Sequence, residues 1–243
     1  MNEEDRIEDC IRSADFADEC IVVDSHSTDR TRDVAARLGA RVIERDWEGW
    51  VQQKNFAIDQ ANNDWVLCLD ADERLSPELR AAILDGLDRE PAADGFDFAR
   101  LNRYMGRWIR HGGWYPDPKI RLFRKDRGRF VGRNPHDRVR VDGRVLRLTG
   151  DLLHDPYRSL SDHLRTMDRY TTVAAEEKYA RGQRAGLLDL TLRPFGKFLR
   201  MFLLERGFLD GVPGFVVAIT GSFYVFLKYA KLRTLSSDRS RHG

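Results

Sequence analysis

The first ninety residues alternate short apolar runs with amphipathic segments. Three runs have the length and β-branched content of buried strands: 20–23, 41–43 and 65–69. Two helical segments lie between them, one running to Leu38 with Gly39 as its stop and one over 52–61. This alternation predicts βαβ units, a parallel sheet and an α/β fold. Further helices are predicted over 2–14 and from Ser76-Pro77 to about Arg89, where a hydroxyl cap precedes a first-turn proline.

The pattern changes after about residue 95. Strands are predicted over 95–103 and 119–124, and 139–148 reads as a hairpin around the Asp142-Gly143 turn. A loop rich in glycine and aromatic residues, 111–116, lies between them. This section therefore predicts mixed or antiparallel sheet with long loops, which often carry function.

From Ser159 the chain reads as helical. One apolar stripe runs to about Ala180, and a second amphipathic segment covers 187–206. Residues 211–227 contain no charge, but a bilayer span needs about 20 apolar residues. Two alternatives remain open for this tail: lying on an anionic membrane surface, or packing as a helical hairpin over the sheet or a dimer interface.

Composition supports a folded chain with an anionic partner. The 243 residues are 42% hydrophobic, which argues against disorder, and no signal peptide is visible at the polar start. Three cysteines, two of them in or beside apolar runs, favour reduced core thiols of a cytosolic protein. The net charge of +2 conceals an acidic part, 1–99, with 11 basic and 25 acidic side chains, and a basic part, 100–147, with 15 and 4. This asymmetry favours an anionic second substrate or surface.

Candidate chemistry lies where the third strand ends. Asp70 and Asp72 follow an apolar run, and Asp24 ends the first predicted strand. In open α/β sheets ligands bind at the carboxyl edge of the strands, so these carboxylates are expected to face one crevice. Paired carboxylates suit a hard divalent cation that bridges to substrate phosphates. Nucleic-acid binding would explain the basic part alone but not this acidic edge, so no nucleic-acid partner is expected.

Three motifs resemble family 2 glycosyltransferases with the GT-A fold, in order and spacing: 22–31 (VVDSHSTDRT), 53–57 (QKNFA) and 69–73 (LDADE). Two more, 107–116 (RWIRHGGWYP) and 208–211 (FLDG), are similar to the bacterial lipopolysaccharide-core branch, which includes inner-core β-1,4-glucosyltransferases. The resemblance implies a GT-A mixed sheet over 1–155, with a nucleotide half (1–99) and an acceptor half (100–155), and a helical C-terminal extension over 156–243.

The resemblance also implies roles for the donor side of the site. Asp24 resembles the aspartate that binds the uracil ring of a UDP-sugar. The expected nucleotide-binding set is Asp24, Ser25, Lys54, Asn55, Asp70, Asn2 and Glu3. Lys54 could instead be a solvated helix lysine, and Asp29 a helix cap. Asp72 resembles the ligand of Mg²⁺ or Mn²⁺, with Asp70 nearby, toward the ribose or the water shell of the metal. His154 resembles an additional metal ligand, or else a buried or pyrophosphate-side histidine.

Transfer with inversion needs a general base opposite the leaving group. Related sequences carry a His-Glu pair where this chain has His136-Asp137. We therefore expect Asp137 to be the base and His136 its orienting neighbour; hydrogen-bonding reach to the acceptor is the geometric requirement.

The resemblance finally implies partners and a location. These are a UDP-sugar donor, an anionic glycolipid acceptor and the cytoplasmic face of the inner membrane, where the protein is expected to be peripheral. A polyprenyl-phosphate sugar synthase and an inactive nucleotide-binding protein remain alternatives. The inactive protein is an alternative because the family's first strand, which would precede Asn2, is missing from this sequence. We expect such a strand upstream of Met1. His26, where a small residue is common, could narrow the nucleotide loop or point to solvent.

Overall fold

The computed structural model describes residues 1–89, 92–133 and 136–239, with the backbone alone at 133, 136, 238 and 239. The strands are β1 (Ile21–Asp24), β2 (Arg41–Glu44), β3 (Trp65–Leu67), β4 (Glu73–Leu75), β5 (Gly95–Tyr104), β6 (Arg107–Trp108), β7 (Asp117–Arg124), β8 (Gly128–Arg133), β9 (His136–Val141) and β10 (Val145–His154). The helices are α1 (Ile7–Ser13), α2 (Thr31–Arg37), α3 (Trp50–Gln60), α4 (Pro77–Arg89), α5 (Leu160–Ala180), α6 (Leu187–Leu199) and α7 (Gly211–Arg239). A π-helical turn, Arg200–Leu204, and a 3-10 turn, Gly207–Asp210, connect α6 to α7.

The chain forms two compact units. The first comprises Met1–Leu101 and Asp117–His154, and the second comprises Asn102–Pro116 and Asp155–Gly243. The sequence-based division at residue 155 placed 102–116 with the sheet, whereas the structure groups this segment with the C-terminal helices. The cause is local: the Asp210 carboxylate accepts hydrogen bonds from the backbone amides of Arg110 and His111, at 3.0 and 2.8 Å.

The parallel-sheet prediction holds for β1 and β2, which pair in parallel from Ile21↔Arg41 to Asp24↔Glu44. It is wrong for β3. That strand pairs antiparallel with β7 in a sheet of order β3-β7-β5-β10-β4, in which β6 also pairs with β5. Within the described residues, β1 and β2 form a sheet of their own. The predicted upstream strand is not tested by this chain and stays a prediction.

The predicted Asp142-Gly143 hairpin is also wrong, because the strands on its two sides belong to different sheets. β9 pairs with β8, whereas β10 lies between β5 and β4. Asp142 N donates to Arg127 O at 2.8 Å, and Arg144 N donates to the Asp94 carboxylate at 2.8 Å. The turn therefore transfers the chain from one sheet to the other.

The first unit is held together by apolar side chains from α4 and the larger sheet. Leu79 and Ile83 of α4 are fully buried against Phe96, Phe98 and other members of one cluster. α4 begins as predicted, with Ser76 Oγ accepting from Leu79 N at 3.2 Å. This packing holds α4 against the larger sheet, which contains β3 and β10, the strands next to the candidate site.

The second unit packs α5 and α6 against α7. Ala175, Tyr229 and Leu232 form one of its apolar clusters. Tyr104, Ile109, Met201, Val217 and Ala218 form another, which includes side chains of the 102–116 segment. The predicted helix at 160–180 is present. The segment predicted over 187–206 is helical as far as Leu204, as α6 and the π-helical turn, and residues 211–227 form the first part of a single long helix, α7.

Candidate functional site

Lys54 joins two carboxylates that are far apart in the sequence. Its Nζ lies 3.0 Å from Asp70 Oδ1 and 3.2 Å from Asp137 Oδ2. α3 presents the lysine, Asp70 follows β3, and Asp137 is the second residue of β9. The Lys54 side chain is only 18% exposed, so it is not a solvated helix lysine. The predicted nucleotide edge and the predicted base thus meet at one ammonium group.

Asp70 also contacts a buried arginine that the sequence analysis did not single out. Arg121 Nη2 donates to Asp70 Oδ2 at 2.8 Å and to Glu73 Oε1 at 2.7 Å. Burial by itself would raise the pKa of Asp70, but Arg121 and Lys54 outweigh it and hold this pKa well below the ordinary value. Asp70 is therefore ionised and neutralised by two cations.

Glu73 is the buried carboxylate of the same charge network. Its side chain is fully buried, and its Oε2 accepts from the backbone amide of Asp70 at 3.0 Å. Arg100 lies 3.4 Å from Glu73 Oε1 and 2.7 Å from Asp117 Oδ2. Alternating charges thus run from Lys54 through the sheet to Asp117. The available signal was a lone arginine inside the apolar strand run at 120–123, because a buried charge requires a partner.

Asp72 and His154 form the second predicted pair that the structure brings together. His154 Nε2 lies 3.4 Å from Asp72 Oδ2, because β10 and β4 pair with His154 opposite Glu73. The carboxylate is a donor that Mg²⁺ and Mn²⁺ prefer, whereas the imidazole is a softer donor than these cations usually take. The described residues contain no group of three His, Cys, Asp or Glu side chains able to hold a metal. Two side chains are too few to hold a divalent cation by themselves, so Asp72 and His154 would hold one only together with further ligands from substrate or water.

The loop after β1 is shaped by its own hydrogen bonds. The buried Asp24 carboxylate accepts from Ser27 N at 2.7 Å and from Ser27 Oγ. Ser25 Oγ accepts from Gln53 Nε2 at 2.9 Å, so neighbouring residues of α3 contact this loop and Asp70. Gln53 Oε1 is buried without a hydrogen-bond partner in the described structure. Gln53 begins the 53–57 motif, but sequence reasoning assigned it no role of its own.

The residues at the start of the chain secure this loop from the other side. Asn2 N donates to Ser27 Oγ at 2.9 Å, and Asn2 Oδ1 accepts from Thr28 N at 2.9 Å. Glu3 N donates to Thr31 Oγ1 at 2.8 Å. Asn2 and Glu3 thus lie at the predicted nucleotide loop, where they hold its backbone.

Three other predicted residues have defined surroundings. Asn55 Nδ2 donates to Phe130 O at 2.9 Å, and Asn55 Oδ1 accepts from Phe130 N at 3.0 Å, so this side chain connects α3 to β8. Asp29 accepts from Thr31 N at 3.0 Å, an Asx-turn contact one residue before Arg30, which is the N-cap position of α2. His26 Nε2 lies 2.8 Å from Asp46 at the surface. The side chain of His136 lies outside the described residues.

The free cysteines agree with the predicted reduced thiols. Cys10, Cys20 and Cys68 are all unpaired. Burial raises the pKa of Cys68 to about 12, although Arg121 and Lys54 act in the opposite direction. This thiol is therefore protonated at neutral pH and is a structural neighbour of the site.

Comparison with known proteins adds an independent line of evidence. Residues 1–142 match the family model described as glycosyl transferase family 2. An uncharacterized glycosyltransferase of Rickettsia typhi is 34% identical over 97% of this chain and 85% of its own length. The lipopolysaccharide core biosynthesis glycosyltransferase LpsC of Rhizobium meliloti is 30% identical over 96% of this chain and 88% of its own length.

A solved structure supports the fold. The mannosyltransferase PcManGT of Pyrobaculum calidifontis, determined with GDP-Man and Mn²⁺, matches with a TM-score of 0.51 at 15% identity. The match covers 95% of this chain and 84% of that one. At this identity the likeness concerns the fold, a GT-A mixed sheet with a helical C-terminal region, as predicted. The family match and the full-length relatives together show that the chain belongs to glycosyl transferase family 2 and is a glycosyltransferase.

Proposed function

We propose that the protein is an inverting, metal-dependent transferase. It moves a hexose, with glucose favoured, from a UDP-sugar to a lipopolysaccharide-core or related cell-envelope glycan. The observation that carries this proposal is the contact of Lys54 with both Asp70 and Asp137. Lys54 thereby connects Asp70, on the sheet edge expected to bind the donor, with Asp137, the carboxylate expected to activate the acceptor. All three residues lie in the first unit of the chain.

The donor is bound along the carboxyl edges of β1 and β3. Asp24 and Ser25 form the base-binding loop, and Lys54 supplies positive charge beside Asp70. Asp72 and His154 would hold Mg²⁺ or Mn²⁺, and this cation would neutralise the pyrophosphate as its bond to the sugar breaks.

Asp137 acts on the acceptor. Its carboxylate takes the proton from the acceptor hydroxyl while that oxygen forms a bond to the anomeric carbon and UDP departs from the opposite face. An α-linked donor thus gives a β-linked product. The ion pair with Lys54 fixes the side chain of Asp137, which is only 15% exposed. Such a held geometry is what a general base requires.

The acceptor is proposed to be anionic. Residues 100–147 carry 15 basic and 4 acidic side chains, and arginine forks bind phosphates and carboxylates well. LpsC, which resembles this chain over nearly its whole length, is named for lipopolysaccharide core biosynthesis. This likeness favours a core glycan over the polyprenyl phosphate of the alternative reading.

A donor and acceptor screen tests the proposal. Purified protein is incubated with Mg²⁺ or Mn²⁺, a panel of UDP- and GDP-sugars, and either a heptose-containing core acceptor or a polyprenyl phosphate, and products are followed by mass. We expect a hexose to be added to the core acceptor from a UDP-sugar only. Transfer to the lipid phosphate alone would favour the synthase, and absence of both turnover and UDP binding would favour the inactive protein.

The metal role is tested in the same assay. Asp72→Asn should abolish turnover while the fold survives, because the cation loses a charged ligand. Asp126→Asn is the matched control, since Asp126 is an exposed aspartate away from the site. Full activity of Asp72→Asn, or of the wild type in excess chelator, would contradict metal dependence.

A further inference from the structure

The exposed face of α7 is apolar along its first four turns. Five large side chains recur at spacings of three or four residues, so they share one face of the helix. Their exposed fractions range from 38% to 69%. They are Val212, Phe215, Ile219, Phe223 and Phe226.

The opposite face of the same helix is the buried one. Val217, Ala218 and Leu232 are at most 1% exposed and pack within the second unit. α7 therefore has two apolar faces. Only one of them is buried by packing inside the second unit, and the other is exposed. By length and composition alone, a stretch at Gly207–Ser237 is apolar enough to cross a membrane, with 28% of its most apolar window buried.

The apolar surface continues from α7 onto α6 and the turns between them. Phe202 contacts Phe215 at a ring-centroid distance of 5.5 Å and Phe198 at 5.4 Å, which links the two helices. Thirteen of the nineteen exposed large hydrophobic side chains among the described residues lie between 187 and 226. Isolated exposed hydrophobic residues are normal, but such clustering marks an interaction surface.

Positive charge accompanies this surface. Residues 187–233 carry seven basic and three acidic side chains. Two of the acids are paired with arginines of the same segment, Asp189 with Arg193 and Glu205 with Arg200. The third, Asp210, is buried and binds the amides of the 102–116 segment. Within the described part of the chain, no ion pair is formed by Lys197, which is half-buried, or by Arg206, which is exposed, so the segment keeps a net positive charge.

We infer that α6, the connecting turns and the exposed face of α7 form a surface that binds anionic phospholipid and lies in the plane of the membrane. An amphipathic face with aromatic residues and flanking cations has the composition of an interfacial helix. The buried opposite face holds α7 on its own unit, which favours a position on the membrane surface over a lone helix crossing the bilayer. In a two-fold dimer through this surface, the cations of one copy would face the same cations of the other, and their repulsion disfavours such a dimer.

Vesicle sedimentation of the full chain tests the inference. The vesicles are phosphatidylcholine alone or phosphatidylcholine mixed with phosphatidylglycerol. We expect binding to the anionic vesicles that weakens with added salt, since exposed charges are screened within about 8 Å at physiological ionic strength. Binding to both vesicle types with equal strength would contradict a role for charge.

Two sets of variants separate the contribution of positive charge from that of the apolar side chains. Lys197→Gln with Arg206→Gln should weaken binding about 25-fold, at about fivefold for each cation near an anionic surface. The matched control is Arg37→Gln with Arg89→Gln, exposed cations of the first unit, which should bind as the wild type does. Leu204→Ser with Val212→Ser should also release the protein, whereas Leu84→Ser, an exposed leucine on α4, should not.

Two further outcomes would overturn the inference. In one, the protein fails to bind anionic vesicles, and sedimentation equilibrium shows a dimer that Leu204→Ser with Val212→Ser dissociates. The surface would then be a contact between copies of this chain. In the other, the protein expressed in cells resists extraction from membranes by alkaline carbonate, which would show that α7 spans the bilayer.

Discussion

Replacing Arg121 by methionine removes the cation at the centre of the charge network. The guanidinium is 7% exposed and contacts Asp70 and Glu73 at 2.8 and 2.7 Å. Methionine fills a similar volume without charge. Glu73, fully buried, would keep Arg100 at 3.4 Å as its cation and the hydrogen bond from the Asp70 backbone amide, and Asp70 would keep its ion pair with Lys54. The variant therefore leaves a buried carboxylate poorly compensated.

The expected cost is about 3–5 kcal/mol in the free energy of unfolding, the usual result of removing one partner of a buried ion pair. For a chain of this size that corresponds to a fall in Tm of about 6–20 °C. Thermal and urea unfolding followed by circular dichroism measure both quantities. Arg129→Met is the matched control, because Arg129 pairs with Asp59 at 2.8 Å at the surface and such pairs contribute about 0–1 kcal/mol.

A second substitution distinguishes lost pairing from lost packing. Adding Glu73→Gln to Arg121→Met removes the unpaired charge and should restore part of the lost stability. Two results would contradict this explanation. In one, Arg121→Met lowers the free energy of unfolding no more than Arg129→Met does. In the other, adding Glu73→Gln to Arg121→Met lowers it further, by as much as Glu73→Gln lowers it in the wild type.

The same network predicts the response to acid. The pKa of Asp70 lies below its ordinary value of 3.8, so its stabilising contribution is fully present above that value and is lost as the pH falls through the folded pKa. Loss of Arg121 should raise this pKa toward the ordinary value. Acid unfolding of Arg121→Met, compared with Arg129→Met, should therefore begin at higher pH.

Two other predictions concern buried groups. Because burial raises the pKa of Cys68 to about 12 and that of Cys10 above the ordinary range, both thiols should react slowly with Ellman's reagent at neutral pH until the protein unfolds. Cys20 is partly exposed, so rapid modification of more than one thiol per folded chain would contradict the prediction. Asp210→Ala should lower the free energy of unfolding by about 3 kcal/mol or more, since the buried carboxylate accepts from Arg110 N, His111 N and His111 Nδ1 and each hydrogen bond to a charged group is worth about 1.5–3 kcal/mol. Thermal unfolding beside the exposed-site control Asp126→Ala measures the loss, and equal Tm values would refute it.

Local patterns were sufficient for much of the fold. The apolar run 20–23 locates β1 within one residue, Ser76 caps α4, and Gly39 follows α2 with a φ of +85°. These features depend on neighbours in the chain. Residue periodicity and turn chemistry therefore identify them without tertiary information.

The features that were missed depend on distant partners. β3 pairs with β7, more than fifty residues later, and the 107–111 segment is held by Asp210, about one hundred residues later. Neither pairing leaves a periodic signal in the chain. For the same reason the contacts of Arg121 with Asp70 and Glu73 could not be read from the sequence, although a lone charge in an apolar strand indicated that partners exist.

The candidate site shows both cases. The resemblance motifs placed Asp70, Asp72, Asp137, His154 and Lys54 in one site, and the structure brings them together as two contacts, Lys54 with Asp70 and Asp137, and Asp72 with His154. The cations that surround Asp70 were not anticipated. They arise from strand register, because Cys68 N donates to Arg121 O at 2.8 Å and so fixes Arg121 beside the end of β3.

The most direct measurement is the transfer rate of Asp137→Asn beside its affinity for UDP. The asparagine keeps the size of the side chain but cannot take the proton of the acceptor hydroxyl. We predict unchanged UDP binding by calorimetry and transfer slower by about 10²–10⁴-fold, the usual contribution of a positioned general base. Asp142→Asn, at an exposed position just beyond the same strand, should retain full activity. A near-normal rate for Asp137→Asn would contradict the account and place the base elsewhere, with His136 as the next candidate.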